Sequence, residues 1–444
     1  MARTAKKVTA LTAEEKLAQA LVPESEQPYK VPENWVYIYQ KSICNLSNGE
    51  KKVNLFLPYL EVKYLRGFKD AEIVESGNYI TAGTKVILVD GENSGEVFAI
   101  YEDGFMGSTF KALDISLAVN PDYLRLFIST KKELYRNNKK GSAIPHLNKD
   151  LFYSMPFPLS PLAEQQRIVD RIESLFAKLD EAKEKAQAVV DGFEDRKAAI
   201  LHKAFTGVLT AGWREDNSIS DSSWDKKRID QISHPRAGYA FDSKKFTDHG
   251  FQIVRMGNLY GGSLDLSRSP VFISPEDIEE KAMNRSLIND GDILITLTGT
   301  KYKRDYGYAV CVRGQKDLLV NQRILCLSPK ETVITNYLLY YLQSNIFRDI
   351  FFSNETGGVN QGNVSSKFVE GIEIALPPIK EQQKIVEILD RVFEKETIAL
   401  EAAEQVIDQI DTMKKAILAR AFRGELGTND PTDESAEELL KWVL

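Results

Sequence analysis

PLAEQQRIVDRIESLF at residues 161–176 returns, little changed, as PPIKEQQKIVEILDRVF at 377–393. The copies align without a gap at an offset of 217 (378 − 161), and over Pro161–Leu209 against Pro378–Leu426 the same residue stands at 21 of 49 positions. Shared composition does not give that agreement, so the chain carries a true internal repeat. The register extends upstream, where Gly141 meets Gly358, Leu147 meets Val364 and Phe157 meets Ile374.

Each copy reads as one long helix. Proline is tolerated at a first turn, whose N–H has no intrahelical partner. Glu164 and Glu381 put negative charge near the positive end of the helix dipole. In the first copy the apolar seam runs through Ile168, Ile172, Leu175, Leu179, Ala182, Ala186, Val189, Phe193, Ile200 and Ala204, with a break at Arg196. In the second it runs through Ile385, Leu389, Val392, Ala399, Ala403, Val406, Ile410, Met413, Ile417 and Ala421, with a break at Glu396. Steps of three and four residues make a narrow stripe suited to a partner helix. Roughly 44 residues at ~1.5 Å each give a rod of about 65 Å, and the obvious cover for it is its own copy, antiparallel. Gly207 and Gly424 stand where a left-handed residue closes a helix.

A block of mixed α/β character precedes each helix and begins near a tryptophan, Trp35 or Trp224. Strand-like runs include Tyr79–Val89, Glu96–Tyr101, Gln252–Met256, Asp292–Leu297 and Tyr308–Val312, and short helices follow at Pro121–Thr130 and Asn336–Gln343. AGTKVILVDGENSGEVFAI corresponds weakly to DGDILITLTGTKYKRDYGYAV, so the blocks share one fold with diverged loops. The expected division is an N-terminal arm with a short helix (1–34), a first block (35–158), a first helix (159–208), a linker (209–223), a second block (224–376), a second helix (377–426) and a tail (427–444). Thr12 with Glu15, and Ser435 with Glu438, read as helix-capping pairs.

The net charge of −7 argues at first against a nucleic-acid partner, but the distribution of the charge removes that objection. Residues 35–158 hold 15 Lys+Arg against 14 Asp+Glu, residues 224–376 hold 19 against 18, and the acid excess sits in the repeats. TGTKYKRDYGY (298–308) interleaves Lys301, Lys303 and Arg304 with Tyr302 and Tyr306. Cations for phosphates and aromatics for bases make a nucleic-acid composition, although a solvated loop reads the same. Lys51, Lys52, Lys63 and Arg66 play that part more weakly in the first block, and Lys244 and Lys245 join the second. Arg255 and Asn258 suit guanine and adenine edges, with a plain turn as the other reading of Asn258. Lys131, Lys132, Arg136, Lys139 and Lys140 read as a basic helix end, as much structural as binding.

No phosphate-cradling GxxxxGK[ST] and no GxGxxG after a strand are present. The Asn/Asp-Pro-Pro-aromatic tetrapeptide of amino-methyltransferases is missing too. DGENSG (90–95) imitates a calcium loop but has Tyr101 where the last acidic ligand belongs. Cys44, Cys311 and Cys326 have no metal spacing and read as free thiols. The chain looks like a reader without catalytic machinery, with no apolar run near the ~20 residues a membrane span needs. A cytoplasmic setting is the expectation.

On the two repeated stretches, on AFxG at Ala204–Gly207 and Ala421–Gly424, and on LVPESEQPYKVPENW and AFRGELGTND, the chain resembles the specificity subunit of type I restriction–modification systems over nearly its whole length. The resemblance implies two α/β (α+β) target recognition domains joined by two long helices in an antiparallel coiled coil, a pseudo-twofold internal repeat. It implies a non-catalytic subunit that binds a split site on double-stranded DNA, each domain reading one half, with the helices setting the distance between them. It implies docking of two methyltransferase subunits, which bind S-adenosylmethionine and methylate adenine N6, and possible joining by two motor-nuclease subunits using ATP and Mg. No cofactor is expected on this chain. DNA contacts are expected from Lys51, Lys52, Lys63, Arg66, Lys244, Lys245, Arg255, Asn258, Lys301, Tyr302, Lys303 and Arg304. Partner contacts are expected from Glu164, Gln165, Gln166, Phe205, Glu381, Gln382, Gln383 and Phe422. The alternative is a coiled-coil adaptor with two protein-binding domains.

Overall fold

The computed structural model describes residues 12–141, 145–358 and 360–443; Met1–Leu11 of the expected arm lie outside them. Two compact units divide the chain. One takes the chain up to Ala186 together with the residues from Gln405, and the other is Gln187–Glu404. Each unit holds one α/β block and part of both long helices.

In the first unit the strands Val36–Tyr39 and Pro156–Leu159 pair antiparallel where the block opens and closes. Between them lies a four-stranded sheet in the spatial order Cys44–Ser47, Phe110–Ile115, Lys85–Leu88, Val97–Ala99. A five-stranded sheet contains a parallel pair, Leu57–Leu60 beside Gly104–Met106. The second unit repeats this plan. Asp225–Arg228 pairs with Glu373–Leu376, a four-stranded sheet is ordered Ser233–Ala237, Ile324–Pro329, Ile293–Thr296, Ala309–Cys311, and Phe251–Val254 runs parallel to Leu318–Val320. The run at Tyr79–Val89 is two strands, because the chain turns at Gly83 (φ 89). The helices at Pro121–Thr130 and Thr335–Gln343 form as the pattern requires.

The first long helix is interrupted. It runs Leu162–Asp191, pauses at Gly192 and resumes as Phe193–Phe205. The second is continuous over Ile379–Ala421. Glycine costs a helix about 1 kcal/mol relative to alanine, and the second copy has Gln409 at the matching place. Gly207 (φ 78) and Gly424 (φ 75) follow in the left-handed conformation.

The helices run antiparallel within each unit. In the first, Asp180 meets Lys414 at 2.5 Å and Lys183 meets Asp411 at 3.8 Å. In the second, Arg196 meets Glu396 at 2.9 Å. The seam is buried unevenly. Ile168 and Ile172 join the core of the first unit, and Leu201, Ala204, Ile385 and Leu389 join that of the second. Val406 and Met413, expected in the seam, are 40% and 44% exposed, and Ala399 is exposed as well. A helix end laid on an α/β block is covered from two sides. A stretch whose only neighbour is one other helix buries a much narrower strip.

The capping pair at Thr12 and Glu15 forms in both directions, and Ser435 accepts the Glu438 N–H at 3.3 Å. Among the described residues no helix is long and apolar enough to cross a membrane.

Candidate nucleic-acid interface

The Glu-Gln-Gln triplets build the frame. Glu164 has no exposed surface, and its carboxylate accepts the indole N–H of Trp35 at 2.6 Å, the Asn429 amide at 2.9 Å and the Thr428 hydroxyl at 3.3 Å. Glu381, equally buried, accepts the Trp224 indole at 2.9 Å, the Thr210 hydroxyl at 2.6 Å and the Arg214 guanidinium at 2.7 Å. Each glutamate therefore joins three things: the start of a long helix, the tryptophan that opens a block, and the segment that follows the opposite helix. A buried carboxylate is costly unless its lone pairs are filled, and both are filled here.

The glutamines do the same for the block. Gln165 accepts the Asn120 N–H at 2.7 Å and donates to the carbonyls of Ala118 and Ser160. Gln382 accepts the Ile334 N–H at 2.9 Å and donates to Thr332 and Pro377. Phe422 packs its ring on Tyr123 and Phe127, and Phe205 on Tyr337 and Tyr341. This corrects the partner-contact expectation for Glu164, Gln165, Phe205, Glu381, Gln382 and Phe422. All six are buried, because the helix face that carries them is the face that fastens the block. Of the eight, Gln166 and Gln383 alone are exposed.

In the first unit Lys51 and Lys63 are exposed and, among the described residues, free of ion pairs. Lys52 lies 3.8 Å over the Tyr79 ring and 3.2 Å from Glu50. Arg66 is bonded to Glu96, which removes it from the set of available cations. Lys139 pairs with Glu92 at 2.8 Å and Lys140 with Asp150, so these two serve structure. His146 bonds Asp90 at 2.6 Å, which ties the first residue of the DGENSG loop to a later segment of the same block.

In the second unit Lys244 and Lys245 are exposed on the short 3-10 turn Ser243–Lys245. Asn258 is corrected to a turn residue. It is 3% exposed, its carbonyl accepts the Arg255 N–H at 2.9 Å, and its amide donates to Asp265 and Arg268 at 2.9 Å each. No edge of the side chain remains for a base. The Arg255 guanidinium donates to the Ser269 carbonyl at 2.6 Å, so one side of its fork is used.

The arm at 298–308 is folded in advance. Tyr302 (φ 66) and Arg304 (φ 53) hold left-handed backbone, which costs roughly 1–2 kcal/mol for such residues. Arg348 holds the arm by donating to the carbonyls of Arg304, Tyr306 and Gly307. Glu355 accepts the Tyr306 hydroxyl at 2.8 Å and the Tyr302 N–H at 3.3 Å. Burial and the Glu355 carboxylate together push the Tyr306 hydroxyl well above the usual phenol range. Of the arm's cations, Lys301 donates to the Gly357 carbonyl at 2.9 Å and Arg304 pairs with Asp349 at 2.7 Å. Lys303 is exposed with its ammonium unspent among the described residues, and the Tyr302 ring is 79% exposed.

A cleft of about 410 Å³ lies between this arm and the ribbon of Leu259–Tyr260 with Ser263–Leu264. Tyr260, Arg268, Thr298, Thr300, Asp305, Arg323 and Gln361 line it. Arg268 lies 5.8 Å over the Tyr260 ring. Arg268, Arg323 and Gln361 carry no local sequence signal, because they come from three separate loops that only the fold assembles.

The model of the type I restriction modification DNA specificity domain matches residues 32–190 and again 221–411. The chain is 24% identical over 420 residues to the type I restriction enzyme MjaVIII specificity subunit of Methanocaldococcus jannaschii, covering 89% of this chain and 94% of that one. It is 24% identical over 306 residues to the EcoKI specificity subunit of Escherichia coli K12, covering 67% and 64% respectively. Its fold is similar to that of the HsdS subunit from Thermoanaerobacter tengcongensis, with a TM-score of 0.63 at 17% identity over 90% of this chain and 100% of that one. Each of the two matched regions holds one recognition block with the greater part of the helix that follows it, and together they take in well over half of the sequence. The chain therefore belongs to the type I restriction modification DNA specificity domain family.

Proposed function

We propose that this chain is the DNA-reading, specificity-setting subunit of a type I restriction–modification complex. Its two recognition blocks read the two halves of a split double-stranded site. The observation that carries this reading is one fold used twice with different residues on its loops. A constant frame with altered loops suits one scaffold that reads two unlike half-sites. Rim cations such as Lys303, Lys51 and Lys63 suit phosphates, which position the protein, while side chains in the cleft suit base edges, which specify sequence.

In this reading the methyl transfer belongs to two partner methyltransferase subunits carrying S-adenosylmethionine. Restriction belongs to motor subunits using ATP and Mg. This chain contributes binding and orientation, and it holds the target so that a partner extracts an adenine at a cost of a few kcal/mol. Gln166 and Gln383 remain the exposed members of the triplets through which a partner reaches the helix starts.

The test is a gel shift with site-bearing DNA, with and without the methyltransferase, followed by mapping of N6-methyladenine in a host that expresses both. Retardation by the complex and methylation at a two-part sequence are expected. An assembled complex that gives no retarded band and no methylation overturns the proposal.

A further inference from the structure

We propose that Arg323 reads a guanine in the half-site of the second recognition block, and that the turn carrying it is the position where the two blocks are set apart. The inference rests on the DNA-reading role proposed above and deepens it.

Arg323 sits in the turn between strands Leu318–Val320 and Ile324–Pro329. The backbone there is fixed from several sides. Leu297 donates its N–H to the Arg323 carbonyl at 2.9 Å, Gln322 donates to Tyr239 at 3.1 Å, and Asn321 donates to Val254 at 3.1 Å. The side chain is the opposite case: it is exposed, and among the described residues it makes no hydrogen bond, ion pair or ring contact. Arg236, Arg285, Arg313 and Arg348 of the same unit all spend their guanidinium groups on the protein. A planar fork with no partner, on a backbone already held in place, keeps all its donors available to a ligand.

The fork also lies in the right surroundings. Arg323 lines the cleft with Thr298, Thr300, Gln361 and the carboxylate of Asp305. That carboxylate repels a phosphate and accepts from base amino groups, which favours a base edge in the cleft over the backbone. Two parallel N–H donors match guanine O6 and N7, a fit that a lysine ammonium does not reproduce.

The first unit holds the same turn with a different residue. Between Gly104–Met106 and Phe110–Ile115 the Thr109 carbonyl accepts the Val89 N–H at 2.9 Å, the counterpart of Leu297 and Arg323. One backbone position, held by the same hydrogen bond, carries threonine in one block and arginine in the other. A repeat that keeps a frame and changes one projecting side chain changes what the frame reads.

The test uses the purified complex of the full chain with its methyltransferase subunits. The probes are duplexes that carry the mapped wild-type site with each of the four bases at every half-site position. The wild type is expected to prefer guanine at one position of one half-site. In Arg323→Ala and Arg323→Lys that preference falls by roughly ten- to hundredfold, while the other half-site is read as before. Arg323→Lys keeps the charge and therefore the salt dependence, which separates lost reading from lost folding. A uniform loss across all duplexes with a shallower salt slope marks a phosphate contact and overturns the proposal. So does an unchanged base preference in both variants, or a wild-type site with no guanine at any affected position. If the wild-type complex selects no sequence at all, the DNA-reading role itself fails, a result distinct from these.

Discussion

Arg196 and Glu396, the two residues that interrupt the apolar seam, interrupt it opposite each other: the Arg196 Nε lies 2.9 Å from the Glu396 carboxylate. The guanidinium also donates to the Val189 carbonyl at 2.9 Å, just ahead of the pause at Gly192. Its Nη1 lies 2.5 Å from where a Cβ on Gly192 would stand. One polar contact thus accounts for both sequence breaks and for the space that glycine leaves in the first helix. Like a polar residue in a coiled-coil seam, the pair marks a register.

The arginine side chain is 40% exposed and the glutamate 26%, so the pair contributes only about 0.2–1 kcal/mol. Glu396→Arg is expected to lower the unfolding midpoint by placing like charges together, and Arg196→Glu with Glu396→Arg to restore most of it. Urea unfolding of the two singles and the double checks this; no rescue in the double means that the contact does not set the register.

The two buried glutamates differ in a way that stability measurements resolve. Glu381 faces a guanidinium whose own side chain is 8% exposed, whereas the partners of Glu164 are the neutral Trp35, Thr428 and Asn429. Removing one charge of a buried pair costs about 3–5 kcal/mol, and losing a hydrogen bond from a neutral donor to a charged group costs about 1.5–3 kcal/mol. Glu381→Gln is therefore expected to destabilise clearly more than Glu164→Gln in thermal unfolding. Equal losses in the two variants contradict this account.

Asp305 pins the arm by accepting the Thr300 N–H at 2.8 Å. Burial pushes its carboxyl up, but the hydrogen bonds from Thr300 and from its own N–H, with the charge of Lys303, outweigh that and leave it lowered. A carboxyl lowered in the fold stabilises above its unfolded pKa of about 4, and the contribution is lost as pH falls through the folded value. Amide protection in 300–306 is thus expected to hold at pH 6 and to drop in acid before that of the sheet. Asp305→Ala is expected to lower it at pH 6 by about 1 kcal/mol and to remove the acid dependence. Unchanged protection in the variant rules out this role for the carboxylate.

Among the arm's cations the structure ranks Lys303 first. Lys303→Ala is expected to weaken DNA binding across sequences and to reduce the slope of log K against log salt by about one. Arg304→Ala, which breaks the pair with Asp349, is expected to leave the slope closer to wild type. Titration of the assembled complex at several salt concentrations decides between them, and a larger change from Arg304→Ala reverses the ranking.

The chain's repeat, its long helices and their closing glycines were legible in the sequence because each depends on local chemistry. Seam spacing, first-turn proline and a left-handed glycine are all set within a few residues. So was the shared fold of the two blocks, through a weak but continuous correspondence. What each polar residue does was not legible, because hydrogen-bonding capacity is the same wherever it is spent. Glu164 and Glu381 look like surface groups in an amphipathic pattern, and only the tertiary structure brings Trp35 and Trp224 onto them. Asn258 has the donors and acceptor of a base-reading side chain, and the turn at 255–268 consumes them. Arg323 is an unremarked arginine in sequence. It stands out because the fold gives Arg236, Arg285, Arg313 and Arg348 hydrogen-bond partners and Arg268 a ring to lie on, and leaves this one unspent among the described residues.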